Sequence, residues 1–272
     1  MNLYSLTRVK MGGLHILSGY DGAGNDTAVI VELKQWSEAR QTERDAIVET
    51  FLGGRKREVL HPSYQAWTYA ALIQDFNEAA HDGQIRLRPC AYPHNMADAQ
   101  PIKSRQYADH IGKAPVFVRD DTQELQDFLS RHIRKGDRKS ILYKIENGRL
   151  RPSKSLSERL ASMLQGNEEF RLIDEQKLVF EQALALAKKA QTKGKQVLVV
   201  EGGPGTGKSV VCINLLVALT EQGMVTQYVT RNAAPRAVYE SKLTGTLKKT
   251  HIGNLFKSSG SFVSAPQTKL TC

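Results

Sequence analysis

The stretch EGGPGTGKSVV, residues 201–211, decides how the segment around it is read. Gly202, Gly207, Lys208 and Ser209 complete the pattern G-x-x-x-x-G-K-[ST], with Gly203, Pro204, Gly205 and Thr206 between them. An apolar run, QVLVV (196–200), precedes it, and an apolar helical pattern, SVVCINLLVALTEQG (209–223), follows it. That is the strand, loop and helix the pattern requires. Glycines let successive backbone N–H groups turn inward, and the helix that starts here adds its N-terminal partial positive charge. The concavity suits the phosphates of ATP. Lys208 is expected to reach the β and γ phosphates, and the Ser209 hydroxyl to take one position on Mg²⁺. A glycine-rich turn opening a core helix is the plainer alternative.

Working outward, a helix EQKLVFEQALALAKKAQTKG (175–194) lies upstream and a strand MVTQYVT (224–230) downstream. Residues 171–272 therefore read as the first βαβ part of a P-loop NTPase parallel sheet. Gln176, 26 residues before Gly202, could read adenine through an amide that offers a donor and an acceptor, or could be a solvated helix residue. Coupling hydrolysis to motion needs an acidic strand that holds Mg²⁺. After Ser209 the sequence has only Glu221 and Glu240, and neither follows an apolar strand or stands in an acidic pair. Binding of ATP is expected; its turnover is not.

The first hundred residues read as a small mixed sheet with helices. Alternation in TAVIVELKQW (27–36) and QIRLRPCAY (84–92) indicates strands, and apolar spacing in SYQAWTYAALIQDFNEAA (63–80) indicates a helix. Residues two apart on a strand share a face, so Val29, Val31 and Leu33 lie on one side and Ile30, Glu32, Lys34 and Trp36 on the other. Glu32 and Lys34 thus make an E-x-K arrangement, in which the carboxylate could hold Mg²⁺ and the lysine steady an attacking water. An exposed ion pair on a strand fits the same residues. Gln65 and Tyr69 stand one helical turn apart and could hold a phosphate or the metal-bound carboxylate in place. His61 and Pro62 are expected to serve the turn before that helix.

Between 101 and 170 the chain turns polar and basic, with helical pattern in TQELQDFLSRHI (122–133) and SLSERLASMLQG (155–166). This reads as a partly helical connector between 1–100 and 171–272, and RHIRKGDRKSILYK (131–144) as a solvated linker first, with a nucleic-acid contact as the alternative. The 272 residues are 40% hydrophobic, enough for two modest cores, and carry a formal charge of +10. That charge points to an anionic partner, nucleic acid first. Three scattered cysteines form no CxxC pair, so neither a disulfide framework nor a zinc site is indicated. There is no run of eighteen apolar residues and no secretory signal, so a cytoplasmic protein without membrane contact is expected.

GYDGAGNDTAVIVELKQW, HPSYQAWTY, IENGRLRPSKSLSERLASMLQGNEEF, LIDEQKLVFE and EGGPGTGKSVV together resemble the bacterial ATP-binding proteins with a Schlafen group 3-like DNA/RNA helicase domain. The resemblance spans about residues 14–262. It implies an N-terminal nuclease-like domain of the RecB, PD-(D/E)XK type joined to a superfamily 1 helicase-like ATPase, acting on DNA or RNA. It further implies Glu32 and Lys34 in a nuclease site supported by Gln65 and Tyr69, a Walker A loop at 202–209, and Gln176 as the adenine reader. The sequence departs from that pattern on the strand before E-x-K, where an aspartate belongs. Leu14 to Ser18 contain no acid, which leaves Asp21 as the candidate second ligand beside Glu32. It also starts close to that strand and stops before the acidic helicase strand, so a chain truncated at both ends, with cleavage and hydrolysis impaired, is expected.

Overall fold

The computed structural model describes residues 8–11, 13–138, 140–149, 162, 171–231 and 255–262. The chain is α/β and divides into two compact units, Met1–Ser153 and Lys154–Cys272.

In the first unit, strands β1 (Arg8–Met11), β2 (Leu14–Tyr20), β3 (Asp26–Lys34) and β7 (Ile85–Pro93) stand side by side in that order. A short strand β8 (Lys135–Gly136) joins the free part of β2. The first three strands form an antiparallel meander, whereas β3 and β7 are parallel and so need a crossover. The crossover is a three-stranded antiparallel sheet, β4 (Ala39–Gln41), β5 (Ile47–Leu52) and β6 (Arg55–Leu60), followed by helices α1 (Pro62–Phe76) and α2 (Glu78–His81). Beyond β7 come α3 (Ala108–Lys113), α4 (Thr122–His132) and α5 (Ser140–Asn147).

Because β3 lies between β2 and β7, helices cover both its faces, and the unbroken run AVIVE is buried throughout. Ile30 packs with Ile16, Ala28, Ala70, Ile85, Ile141 and Leu142, residues of the sheet, α1 and α5. On the opposite face Val29 and Val31 meet Cys90, Ile133 and the α4 side chains Leu125, Phe128 and Leu129. A further cluster, with Trp36, Val48, Met96, Ile102 and Tyr107, fills the space under the small sheet.

These contacts revise the expected organisation. The stretch from 101 to 149 is not a separate connector, since Ile102, Tyr107, Ile133, Ile141 and Leu142 are core residues of the first unit. The single helix read over 63–80 is two. At Asn77 the backbone is extended (φ −94°, ψ 123°), and its side-chain oxygen accepts from Ala80 N to start α2. The helix expected over 155–166 falls outside the described residues, Ser162 aside, as does Glu240.

The second unit contains α6 (Asp174–Lys193), α7 (Lys208–Glu221), β9 (Tyr228–Thr230) and β10 (Phe256–Ser258). Both helices lie where their apolar periodicity puts them. The expected strand at 196–200 does not form: it has no ladder partner among the described residues, and Val197 and Val199 are 85% and 75% exposed. An apolar run specifies a preference for burial, but a parallel strand also needs a neighbour to take its N–H and C=O groups. The parallel pair that does form joins β9 to β10, with Tyr228 opposite Phe256, and β9 covers only the last three residues of the expected MVTQYVT strand.

Candidate nucleotide-binding site

The loop before α7 is shaped by its own side chains. Gly207, the residue that opens the helix, sits at φ +86°, and Val211 N donates to its carbonyl at 3.1 Å to close the first turn. A side chain at 207 would be strained by that left-handed backbone, and the Gln176 side-chain amide would have to move aside for an added Cβ. The Thr206 hydroxyl donates back to Gly203 O at 2.9 Å, bracing the loop from inside. Lys208 folds over the same turn, its Nζ donating to Gly202 O at 2.5 Å and Gly203 O at 2.6 Å. Two neutral carbonyls therefore hold the ammonium at the loop, and an anionic phosphate oxygen is a stronger acceptor for it than either.

Gln176 comes to this loop from the first turn of α6. Its Nε2 donates to Thr206 O at 3.1 Å, a contact spanning 30 residues of sequence. Together the two segments enclose a cavity of about 480 Å³ lined by Ile173, Gln176, Val179, Gly202, Thr206 and Lys208, among others. That size is in the range of small-molecule sites, which run from roughly 300 to 1,000 Å³. Asp174 and Glu175 also line it, which sequence reading missed. Acidic residues in a helix's first turn are usually accounted for by the helix dipole, so nothing in their pattern pointed to the loop. Ser209 is exposed in the first turn of α7. Glu221 closes the same helix twelve residues on, which at the helical rise puts it roughly 18 Å away.

In the first unit, Glu32 and Lys34 make an ion pair of 2.7 Å. It is not the exposed pair a surface strand would give, for Glu32 is 2% exposed. Leu14 stands directly opposite Glu32 on β2 and packs with the Ile30 cluster, which places Glu32 on the α1 side of the sheet. Gln65 and Tyr69 are on α1, joined by a 3.3 Å hydrogen bond from Gln65 Nε2 to the Tyr69 hydroxyl, and Tyr69 packs on the same cluster. The four residues thus share one layer. Asp21 does not join them. It follows Tyr20, the partner of Asp26, at the end of the sheet opposite Glu32; six residues of strand amount to roughly 20 Å. Its carboxylate accepts from Ala23 N, Asn25 N and the Asn25 side chain and pairs with Arg86 at 3.0 Å, so it organises its own loop. Those hydrogen bonds, with the Asn25 side chain foremost, hold its pKa below the usual carboxylate value. Among the described residues no group of three His, Cys, Asp or Glu converges in a way that could hold a metal ion.

Comparison with protein families bears on the second unit. Residues 195–271 match the family model described as "Schlafen group 3, DNA/RNA helicase domain". The match takes in the whole phosphate loop, α7, β9 and β10, and it starts beyond Gln176. No curated protein matches the chain, and no solved structure does. The Schlafen group 3 helicase match thus supports the nucleotide theme where the loop geometry does, and leaves the first unit to be read from its own residues.

Proposed function

We propose that the chain binds Mg-ATP at residues 202–209 as part of a nuclease-helicase-like protein that acts on DNA or RNA. The observation that carries this reading is the convergence of Lys208 and Gln176 on the backbone of one complete phosphate-loop motif. Lys208 would meet the β and γ phosphates, Ser209 would hold Mg²⁺, and Gln176, already at the loop, would face the base. The match over 195–271 and the net charge of +10 support a polyanionic partner. Among the described residues no helix is long and apolar enough to cross a membrane.

Strand cleavage is left out of the proposal. The residues that face Glu32 across the sheet are Leu14 on β2 and Ala91 on β7, and neither supplies a second carboxylate. We read Glu32 and Lys34 as a buried ion pair that fixes the end of β3, in the layer it shares with Gln65 and Tyr69.

Hydrolysis calls for an acid on the metal, and Glu221 lies too far along α7 to serve. Thermal melting and phosphate release, measured on one sample, separate the outcomes. Mg-ATP is expected to stabilise the protein by about 2.7 kcal/mol at a hundredfold excess over Kd. Lys208→Ala should abolish that gain, and phosphate release should stay at background. Stabilisation that persists in Lys208→Ala overturns the site; steady phosphate release shows that an acid other than Glu221 serves the metal.

A further inference from the structure

The β5–β6 hairpin carries a surface that neither the phosphate loop nor the buried ion pair uses. Its base is core: Ile47 and Val48 are fully buried and Leu60 nearly so. Its end is not. Residues 53–58 are all exposed, and Phe51 keeps 53% of its surface in solvent. The turn is the two-residue Gly53-Gly54, at φ +58° and +79°, a conformation that glycine adopts without strain and that suits the twist of a hairpin. It fixes the register so that Phe51 faces Lys56 and Leu52 faces Arg55. Directly opposed residues share a face, so Phe51 and Lys56 project on one side and Arg55 and Arg57 on the other. The Arg57 guanidinium leans over the turn, 3.6 Å from where a Cβ on Gly53 would lie.

Charge is arranged with equal bias. Glu58 is taken by Arg44 at 2.8 Å and Glu49 by Lys56 at 3.4 Å, while Arg55 and Arg57 have no acidic partner among the described residues. From Phe51 to Arg57 the tip has three cations and no acid. Protection of an exposed sheet edge is the plain explanation for charges on β6. It does not account for a half-exposed phenylalanine on the paired inner strand β5, nor for one sign of charge over three consecutive residues.

We propose that this hairpin tip is a contact for single-stranded nucleic acid, Phe51 stacking on an unpaired base while Arg55, Lys56 and Arg57 meet the phosphates on either side. The inference deepens the reading above and rests on it for the class of partner. A single strand fits better than a duplex because an aromatic ring needs the flat face of a base, which pairing and stacking bury in a duplex. Residues 53–58 contain no apolar side chain that would widen Phe51 into a surface for a hydrophobic peptide, and an acidic peptide would use the cations but not the ring.

Fluorescence anisotropy of a labelled oligothymidylate, titrated with the full chain over a series of sodium chloride concentrations without nucleotide, tests this directly. Phe51→Ala is expected to weaken binding by about tenfold, a typical loss for one stacked base, and to leave the salt dependence unchanged. Arg55→Gln with Arg57→Gln should flatten the slope of log affinity against log salt by about 1.4, which is ~0.7 for each phosphate on a single strand. All three positions are exposed, so unchanged melting curves will show that the fold is intact. Lys208→Ala should bind the oligonucleotide as the parent does. A parent that binds while both hairpin variants bind equally well overturns the hairpin site alone. Polyglutamate displacing the strand as effectively, with Phe51→Ala unaltered, overturns it in favour of an acidic protein partner. A parent with no affinity for the oligonucleotide overturns the nucleic-acid reading and the hairpin with it.

Discussion

His61 shows how much of a residue's behaviour its surroundings dictate. It is fully buried ahead of α1, with Nε2–H donating to Ile102 O at 2.8 Å and Nδ1 accepting from Ser63 N at 3.2 Å. Its ring also lies 4.5 Å from that of Tyr107. Both nitrogens are committed in the neutral form, and a second proton would point at an N–H donor. Burial lowers its pKa from 6.5 to about 4. The unfolded chain therefore takes up this proton near pH 6.5 and the folded chain only near 4. Stability is complete above the upper value and declines as pH falls to the lower one, by about 3 kcal/mol for this residue. His132, half-buried beside Arg88 and Arg131, is lowered too and adds in the same direction. Urea unfolding at a series of pH values should show the decline, and His61→Gln, which keeps a donor and an acceptor, should flatten it. A slope that is the same in both proteins would remove His61 as its cause. The sequence said where His61 stands, at the head of a helix beside Pro62. It could not say that a carbonyl 41 residues away, Ile102 O, would fix the tautomer.

Elements were legible where one chain segment contains the whole signal. Helices α4, α6 and α7 and strands β3 and β7 were read from periodicity, because an apolar stripe needs no knowledge of what covers it. Readings failed where the deciding partner is distant. The exposed faces of α3 and α4 gave 101–149 its polar look, while its few core residues are spaced too widely to make a pattern. The three-stranded sheet of 39–60 went unread, although Gly53-Gly54 between two runs is a hairpin signal. Asn77 is the sharpest case. Apolar spacing continues across it, yet its side chain accepts from Ala80 N at 3.0 Å and donates to Lys144 O and Ile145 O at 2.9 and 3.0 Å. One amide starts α2 and ties down the last turn of α5. Asn77→Ala should cost about 2–3 kcal/mol, the loss of an N-cap plus two carbonyls deprived of a donor. Asn77→Asp keeps the cap but turns an anion toward those carbonyls, so it should be no better. If chemical denaturation gives the aspartate variant parental stability, the bonds to α5 contribute nothing.

At the scale of the whole molecule, the two units provide separate probes of each other's independence. The first buries its own clusters around β3 and under the small sheet, and His61 titrates inside it. The second buries Val211, Ile213, Leu216 and Val217 along α7, together with Phe256 of β10, and contains the phosphate loop. A ligand stabilises only the cooperative unit whose native state binds it, and a proton destabilises only the one whose unfolded state takes it up. Calorimetry is accordingly expected to show two transitions. Mg-ATP should raise the midpoint of one, and lowering the pH from 6.5 toward 4 should act through His61 on the other. Lys208→Ala should silence the first response without touching the second, and His61→Gln the reverse. Were both midpoints to move together under either treatment, the units would be unfolding as one body.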